Sequence, residues 1–367
     1  MKIALVHDWL TGMRGGEKCL EVLCELFPDA PIYTLLHNKG TMSSAIESKK
    51  IFTSFLDNLP AKQKQYRKYL PLFPFAIAQF DLSEYDLIIS TSHAVAKNVR
   101  VRKDAVHICY CFTPMRYIWD MYEQYFGKGK AGIGIRIAMM VVAPILRWWD
   151  VKTSSRVSFF IAISEEVRSR IKKHYNRSSD MIYPPVDTEQ FQLSTREEDF
   201  YLIVSALVPY KRVDLAVESF TANGKKLVIA GTGPESGKLK SMAGSNITFL
   251  GWQSDEELAQ LYSQCTALIF PGEEDFGIVP LEAQASGKPV VAFSKGGALE
   301  TIIDGKSGVF FNKQTAESLQ QALERLSLIK FNSTDIRRHA LGFSRSIFKQ
   351  KMKDYIEGKV RQHIHKQ

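Results

Sequence analysis

The feature that most constrains this chain is an alternation that runs, stops and restarts. Short apolar runs of strand length alternate with amphipathic helical stretches, the pattern of parallel α/β domains. In the first half, strands are expected at 2–7, 86–90, 106–110 and 158–163, and helices around 15–26, 42–48, 132–149 and 164–174. The segment "MIYPPVDTEQF" then intervenes, and Pro184 and Pro185 break regular structure, so it reads as a linker. Beyond it the alternation resumes, with strands expected at 201–207, 226–230, 247–250, 266–270 and 289–293. Helices are expected between them at 211–221, 234–243, 254–263, 280–286 and 297–303. A restart of this kind predicts two Rossmann-like domains, and 367 residues are more than one compact core holds. The expected division is 1–183, then 184–345, then a basic C-terminal helix over 346–367 packing back on the first domain.

Composition narrows the class. Apolar residues make up 45% and charged residues 24%, as in a soluble globular protein. The longest apolar stretch, "IGIRIAMMVVAPILRWW", is interrupted by Arg136, Pro144 and Arg147, which argues against a membrane span. The opening "MKIALVHDW" loses its apolar run at His7 and reads as a buried strand rather than a signal peptide. The five cysteines are odd in number and form no CxxC pair; Cys109 and Cys111 lie in an apolar run, so buried free thiols in a reducing cytosol are expected. Charge is lopsided: residues 1–185 hold 26 Lys and Arg against 17 Asp and Glu, whereas the remainder holds 22 of each. The first half therefore attracts nucleic acid, an anionic membrane or a phosphorylated substrate.

The segment "FPGEEDFGIVPLEAQASGKPVV" at 270–291 carries the chemistry. After a buried strand, Gly277, Ile278 and Val279 form a loop at the N-terminus of a short helix, with Pro280 at its first position. Free N–H groups and the helix dipole there favour an anion such as phosphate. Carboxylates repel phosphate, so Glu274 and Glu282 need another purpose. An ionised carboxylate suits paired hydroxyls, and a phosphate cradle flanked by two of them describes a nucleotide-sugar. The plainer alternative is that Glu282 favours the helix dipole by ~0.3–1 kcal/mol and Glu274 is a solvated loop charge.

In "SALVPYKRVDLAVESF", Lys211 and Arg212 sit at the positive end of a helix, where a bound diphosphate would turn an unfavourable placement into a favourable one. The alternative is two solvated charges with Asp214 as partner. Upstream, "HDWLTGMRGGEK" places Gly15 and Gly16 at another helix N-terminus, a second possible phosphate contact. Neither this loop nor "GTGPESG" spells GxGxxG, which disfavours a nicotinamide or flavin enzyme. No D-x-D occurs and the histidines lack ligand spacing, so neither a metal nor another cofactor is expected.

Residues 61–80 interleave Lys62, Lys64, Arg67 and Lys68 with aromatics, a mixture that fits anionic lipid headgroups. The stretch 132–149, ending in Arg147, Trp148 and Trp149, offers an interfacial anchor. Each reads equally as an amphipathic helix covering the core. Single-stranded nucleic acid is a third possibility for such a mixture, but no RRM, KH or zinc-finger pattern supports it and nucleic acid is not expected as a partner.

Together these residues resemble the retaining glycosyltransferases of family 4. "EDFGIVPLE" is similar to that family's E-x7-E signature, "SALVPYKRVD" to its diphosphate motif and "RGGEK" to its glycine loop. "HDWLTGMRGGE", "STSHAVAKNV", "TPMRYIWD" and "IYPPVDTEQF" resemble the WbaZ-like mannosyltransferases of bacterial surface polysaccharide assembly. The resemblance implies a GT-B α/β fold, two facing Rossmann-like domains with a deep interdomain cleft. It implies Glu274 at the donor hexose and Glu282 at the ribose, with Lys211 and Arg212 and the backbone of Gly277, Ile278 and Val279 at the diphosphate. Phe276 lies within the same signature, and Gly251, Trp252 and Gln253 fall where relatives bind the base. Gly15 and Gly16 would close over donor and acceptor, and Arg116 in "TPMRYIWD" joins the basic set facing acceptor or membrane. The implied reaction moves a hexose, mannose from GDP-mannose as first choice, onto a lipid-linked saccharide at the inner face of the cytoplasmic membrane. A UDP-sugar donor, or binding without turnover, stays open. Two positions depart from the pattern: Ala206 replaces a common arginine, and Phe112 stands where relatives have histidine. A phenyl ring cannot hydrogen-bond a sugar hydroxyl.

Overall fold

The structure, a computed structural model, describes residues 1–60, 62, 66–129, 132–194 and 198–364. The chain divides into two compact units, one of residues 1–184 with 348–367 and one of residues 185–347.

The first unit is built on a seven-stranded sheet of β1 (Ile3–His7), β2 (Ile32–Thr34), β3 (Ile51–Thr53), β4 (Leu87–Ser92), β5 (Val106–Cys111), β6 (Phe159–Ala162) and β7 (Ser179–Met181). The order is β3-β2-β1-β4-β5-β6-β7 and every pairing is parallel. Every residue of β4 and β5 is buried, as parallel strands covered on both faces require. The second unit has β8 (Tyr201–Val204), β9 (Leu227–Ala230), β10 (Ile247–Gly251), β11 (Ala267–Phe270), β12 (Val290–Phe293) and β13 (Gly308–Phe311). Their order is β10-β9-β8-β11-β12-β13, again all parallel. Counted within each unit, both sheets begin 3-2-1-4-5-6, so the strand order reverses between the first and fourth strands. Ligands of open α/β sheets bind beyond the carboxyl ends of the strands at that reversal.

Helices of eight or more residues are α1 (Gly15–Leu26), α2 (Ile133–Ser154) and α3 (Glu165–Tyr175) in the first unit, then α4 (Val213–Asn223), α5 (Asp255–Gln264), α6 (Ile278–Ala285), α7 (Ala316–Leu328) and α8 (Ser333–Leu341) in the second. α9 (Arg345–Ile364) follows, and residues 348–364 of it belong to the first unit. Local chemistry sets several starts: Ser164 Oγ accepts from the Val167 amide, and Ser254 and Glu257 form a reciprocal capping box at α5. Phe348, Met352, Ile356 and Val360 are buried at four-residue spacing along α9, and Lys349 pairs with Glu25 at 2.9 Å. All five cysteines are buried thiols, none of them in a disulfide.

Several boundaries differ from expectation. α4 starts at Val213 rather than 211, because Arg212 adopts a left-handed conformation (φ 52°) that no helix interior admits. α6 starts at Ile278, two residues before Pro280, since the missing N–H of proline costs nothing anywhere in a first turn. Strands β2, β3, β7 and β13 and helices α7 and α8 add to the elements read from the sequence.

Candidate active site at the strand reversals

In the second unit the strand reversal lies between β8 and β11. The segment after β8 makes a single 3-10 turn, Pro209–Lys211, and then the left-handed Arg212. The segment after β11 holds Glu274 and ends at Gly277, whose φ of 90° caps α6 in a conformation that suits glycine. These two segments meet. The Lys211 ammonium forms an ion pair with the Glu274 carboxylate, and both side chains are largely buried. Gly272 lets the backbones approach, because a Cβ there would stand 2.9 Å from the Lys211 Cα. A second constraint comes from behind: a Cβ at Gly296 or Gly297 would run into the backbone of Glu274 or Phe276, and the Gly297 amide donates to the Glu274 carbonyl at 2.9 Å. The loop that carries Glu274 is thus fixed from two sides.

Arg212 is differently engaged. Its guanidinium binds both oxygens of Asp214 at 3.1–3.3 Å and the Gln314 carbonyl at 3.3 Å, while Gln314 donates to the Pro271 carbonyl. Glu282, on α6, accepts from the Tyr262 hydroxyl at 2.9 Å. Burial, with the Glu282 charge beside it, pushes the Tyr262 phenol well above its usual range, so it stays a donor. Phe276 is buried with its ring centroid 6.1 Å from that of Phe343. Two strands away, Gly251 turns at φ 77° where the β9–β10 register shifts, and the Gly231 amide donates to its carbonyl at 2.6 Å. Trp252 beyond it is 76% exposed, and the Gln253 amide group folds back onto the Leu250 and Trp252 carbonyls. Gly277, with Ile278 and Val279 in the first turn of α6, presents the free amides of a helix start.

The first unit reverses between β1 and β4. Gly15 and Gly16 are the first residues of α1, and a Cβ on Gly16 would press on the Phe112 ring at 3.3 Å. Here the structure gathers residues the sequence reading passed over. Asp8, fully buried after β1, accepts four backbone amides, from His93 (2.6 Å), Ala94 (2.9 Å), Val95 (2.7 Å) and Ala96 (2.7 Å). His93 Nδ1 lies 3.2 Å from the same carboxylate. Burial opposes ionisation of Asp8, but His93 and these amides outweigh it and hold its carboxyl below the usual range. Desolvation takes His93 down to about 4, so its imidazole is neutral near pH 7. His7 and Glu17 lie 3.7 Å apart beside them. The available signal was a titratable residue directly after each of two buried strands, at "ALVHD" and "STSHA".

Lys62 pairs with Asp57 at 2.6 Å, Arg67 and Lys68 are exposed, and Lys64 lies outside the described residues. Tyr66, Leu70 and Phe73 are buried in the core of the first unit. Arg116, after β5, is half-buried. Among the described residues no group of three or more His, Cys, Asp or Glu side chains is placed to hold a metal ion.

Residues 186–340, which contain all of the Lys211–Glu274 site, match the family model described as "Glycosyl transferases group 1". The chain is also similar at 98% of its length to all of the lipopolysaccharide outer core galactosyltransferase WaaB (TM-score 0.69, 17% identity). It is similar over the same share to all of the Anabaena protein HepE in complex with UDP (TM-score 0.72, 18% identity). The chain has the GT-B fold. Among curated relatives, the O-antigen chain mannosyltransferase RfbU of Salmonella typhimurium is 29% identical over 187 residues, covering 47% of this chain and 51% of that protein. The chain spans about half the length of the curated relatives it matches. In GT-B terms, Lys211, Glu274, Gly277 and Glu282 all lie in the second Rossmann-like unit, around its β8–β11 reversal, and Asp8 and His93 at that of the first.

Proposed function

We propose that the chain is a metal-independent retaining glycosyltransferase. It moves a hexose from a nucleoside-diphosphate sugar, with GDP-mannose as the favoured donor, onto a lipid-linked saccharide. The observation that carries this reading is the Lys211–Glu274 contact at the strand reversal, beside the glycine-capped start of α6. The match of residues 186–340 to the glycosyltransferase family supports the reaction class, and the RfbU relative supports mannose.

The chemistry follows from where charge develops. The bond from the anomeric carbon to the β-phosphate oxygen breaks while the acceptor oxygen bonds to the same face of that carbon. The acceptor proton passes to the departing phosphate. Negative charge grows on the diphosphate, and fixed positive charge aimed there lowers the barrier. Lys211 and the free amides of residues 277–279 take that part. Glu274 steadies the ammonium and faces the oxocarbenium-like sugar. Glu282, oriented by Tyr262, takes the ribose hydroxyls. No protein base is required on this route.

The HepE complex with UDP favours a second reading, in which the donor is a UDP-sugar held by the same residues. Turnover assays with GDP-mannose and UDP-glucose separate the two. Lys211→Ala is expected to lower kcat by about 10²–10³, the scale of removing one preorganised charge at a developing anion. Its melting temperature should fall only modestly, because the Glu274 carboxylate left unpaired is 25% exposed and still reached by solvent. A wild-type chain that binds nucleotide yet neither transfers nor hydrolyses any donor would be a non-catalytic nucleotide-sugar or glycan-binding protein, and the proposal would fall.

A further inference from the structure

Helix α2 turns apolar residues outward. Met139, Ala143, Leu146, Asp150 and Thr153 form its buried seam, at the three- and four-residue spacing of one helix face. The opposite face carries Ile133, Ile137, Met140, Val141, Ile145 and Trp148, which are 57–74% exposed. A surface helix ordinarily presents polar residues there. An uncovered apolar stripe of this extent marks an interaction site.

The charges around it identify the occupant. Between Glu123 and Asp150 the sequence holds no acidic residue, whereas Lys128, Lys130, Arg136 and Arg147 fall in that interval and Lys152 follows. Lys152 Nζ sits 4.7 Å from the Trp148 ring, so a cation and an indole share the edge of the stripe. We propose that this face docks the chain on an anionic lipid surface, with α2 lying along the interface, its apolar stripe among the acyl chains and its cations at the headgroups. A second copy packed on the same face would bring the cations that rim it together with no carboxylate from this segment to offset them. No helix among the described residues is long and apolar enough to cross a membrane, so the contact is one of lying on the bilayer. In the 61–80 segment Tyr66 and Phe73 are spent on the core, whereas Phe75 is 69% exposed. The inference rests on the transferase reading only for why a lipid-borne acceptor would be met there.

The test uses the full chain and vesicles of phosphatidylcholine, alone or with about one third phosphatidylglycerol. Wild type should sediment with the anionic vesicles, less with neutral ones, and less as salt rises. The variant Ile137→Ser/Val141→Ser/Trp148→Ser, altered only at exposed positions, should keep its melting temperature and lose roughly tenfold or more in partitioning. A variant that partitions like the wild type overturns the proposal, as does a wild type that ignores both vesicles. So does a wild-type dimer, seen by light scattering, that the variant converts to monomer. Thermal shift by GDP and UDP on the same samples keeps the two readings apart. Vesicle binding without any nucleotide shift would sink the transferase and leave the docking face standing.

Discussion

Ion pairs and orphaned ring nitrogens make the residue scale of this protein sensitive to acid. His107 is fully buried, its Nε2 bonded to Ser90 at 2.8 Å and its Nδ1 without a hydrogen-bond partner; desolvation takes its pKa from 6.5 down to about 3. His93 falls to about 4 for the same first cause. Between these values and 6.5 the unfolded chain binds protons that the folded chain refuses. Their contribution to stability is therefore full above about pH 6.5 and is lost as pH falls toward 4 and then 3. Asp120, held down to about 2 against its own desolvation by His174 and Arg170, extends the loss below its unfolded value of 3.8. Melting temperatures recorded from pH 7.5 to 4.5 should thus decline from near 6.5 downward; a flat profile would show that these imidazoles are not buried neutral. At this scale the sequence was legible where a motif has fixed spacing. Lys211, Glu274, Gly277 and Glu282 could be named because strand, loop and helix follow one another directly. Asp8 and His93 could not be paired, because they are 85 residues apart in sequence and meet only once β1 and β4 lie side by side.

Elements show where patterns carry information and where they run out. The three-residue strands β2, β3 and β7 are too short for a period to register; β2 and β7 pair with the longer β1 and β6, and β3 adds on to β2 at the sheet edge. α2 was legible as a helix but not as to which face it buries, since apolar residues surround it. What chooses the face is polar. Lys97 and Asp150, both fully buried, pair at 2.8 Å, and Asp150 also accepts from Trp119 (3.0 Å), Tyr175 (2.7 Å) and Asn98 (3.2 Å). Every oxygen of that carboxylate is occupied, and the network ties α2 to the turn at Ala96–Asn98, whose Ala96 amide is one of the four that hold Asp8. Removing one partner leaves a buried charge unpaired. Lys97→Ala is expected to cost about 3–5 kcal/mol, and Asp150→Ala more, because Trp119, Tyr175 and Asn98 lose their acceptor as well. Urea denaturation of both variants measures this; equal and small losses would mean the pair does not position the helix.

At the level of the whole molecule, the restart after Pro184 and Pro185 was visible as a rhythm, and it yields two sheets that share one strand order. That order places a candidate site in each unit at the same topological point, though the chemistries differ. The second unit gathers a lysine, two carboxylates and a helix start, while the first gathers a buried Asp–His pair and carries the surplus of positive charge. The most direct test of the central claim is a thermal-shift panel of GDP, UDP, GDP-mannose and UDP-glucose on the wild type and on Glu282→Ala. A ligand that binds only the native state raises the melting temperature according to its affinity. One nucleotide series should shift the wild type by several degrees, and Glu282→Ala should lose much of that shift through the ribose. If neither series moves the wild type, the β8–β11 reversal does not hold a nucleoside diphosphate and the account is wrong.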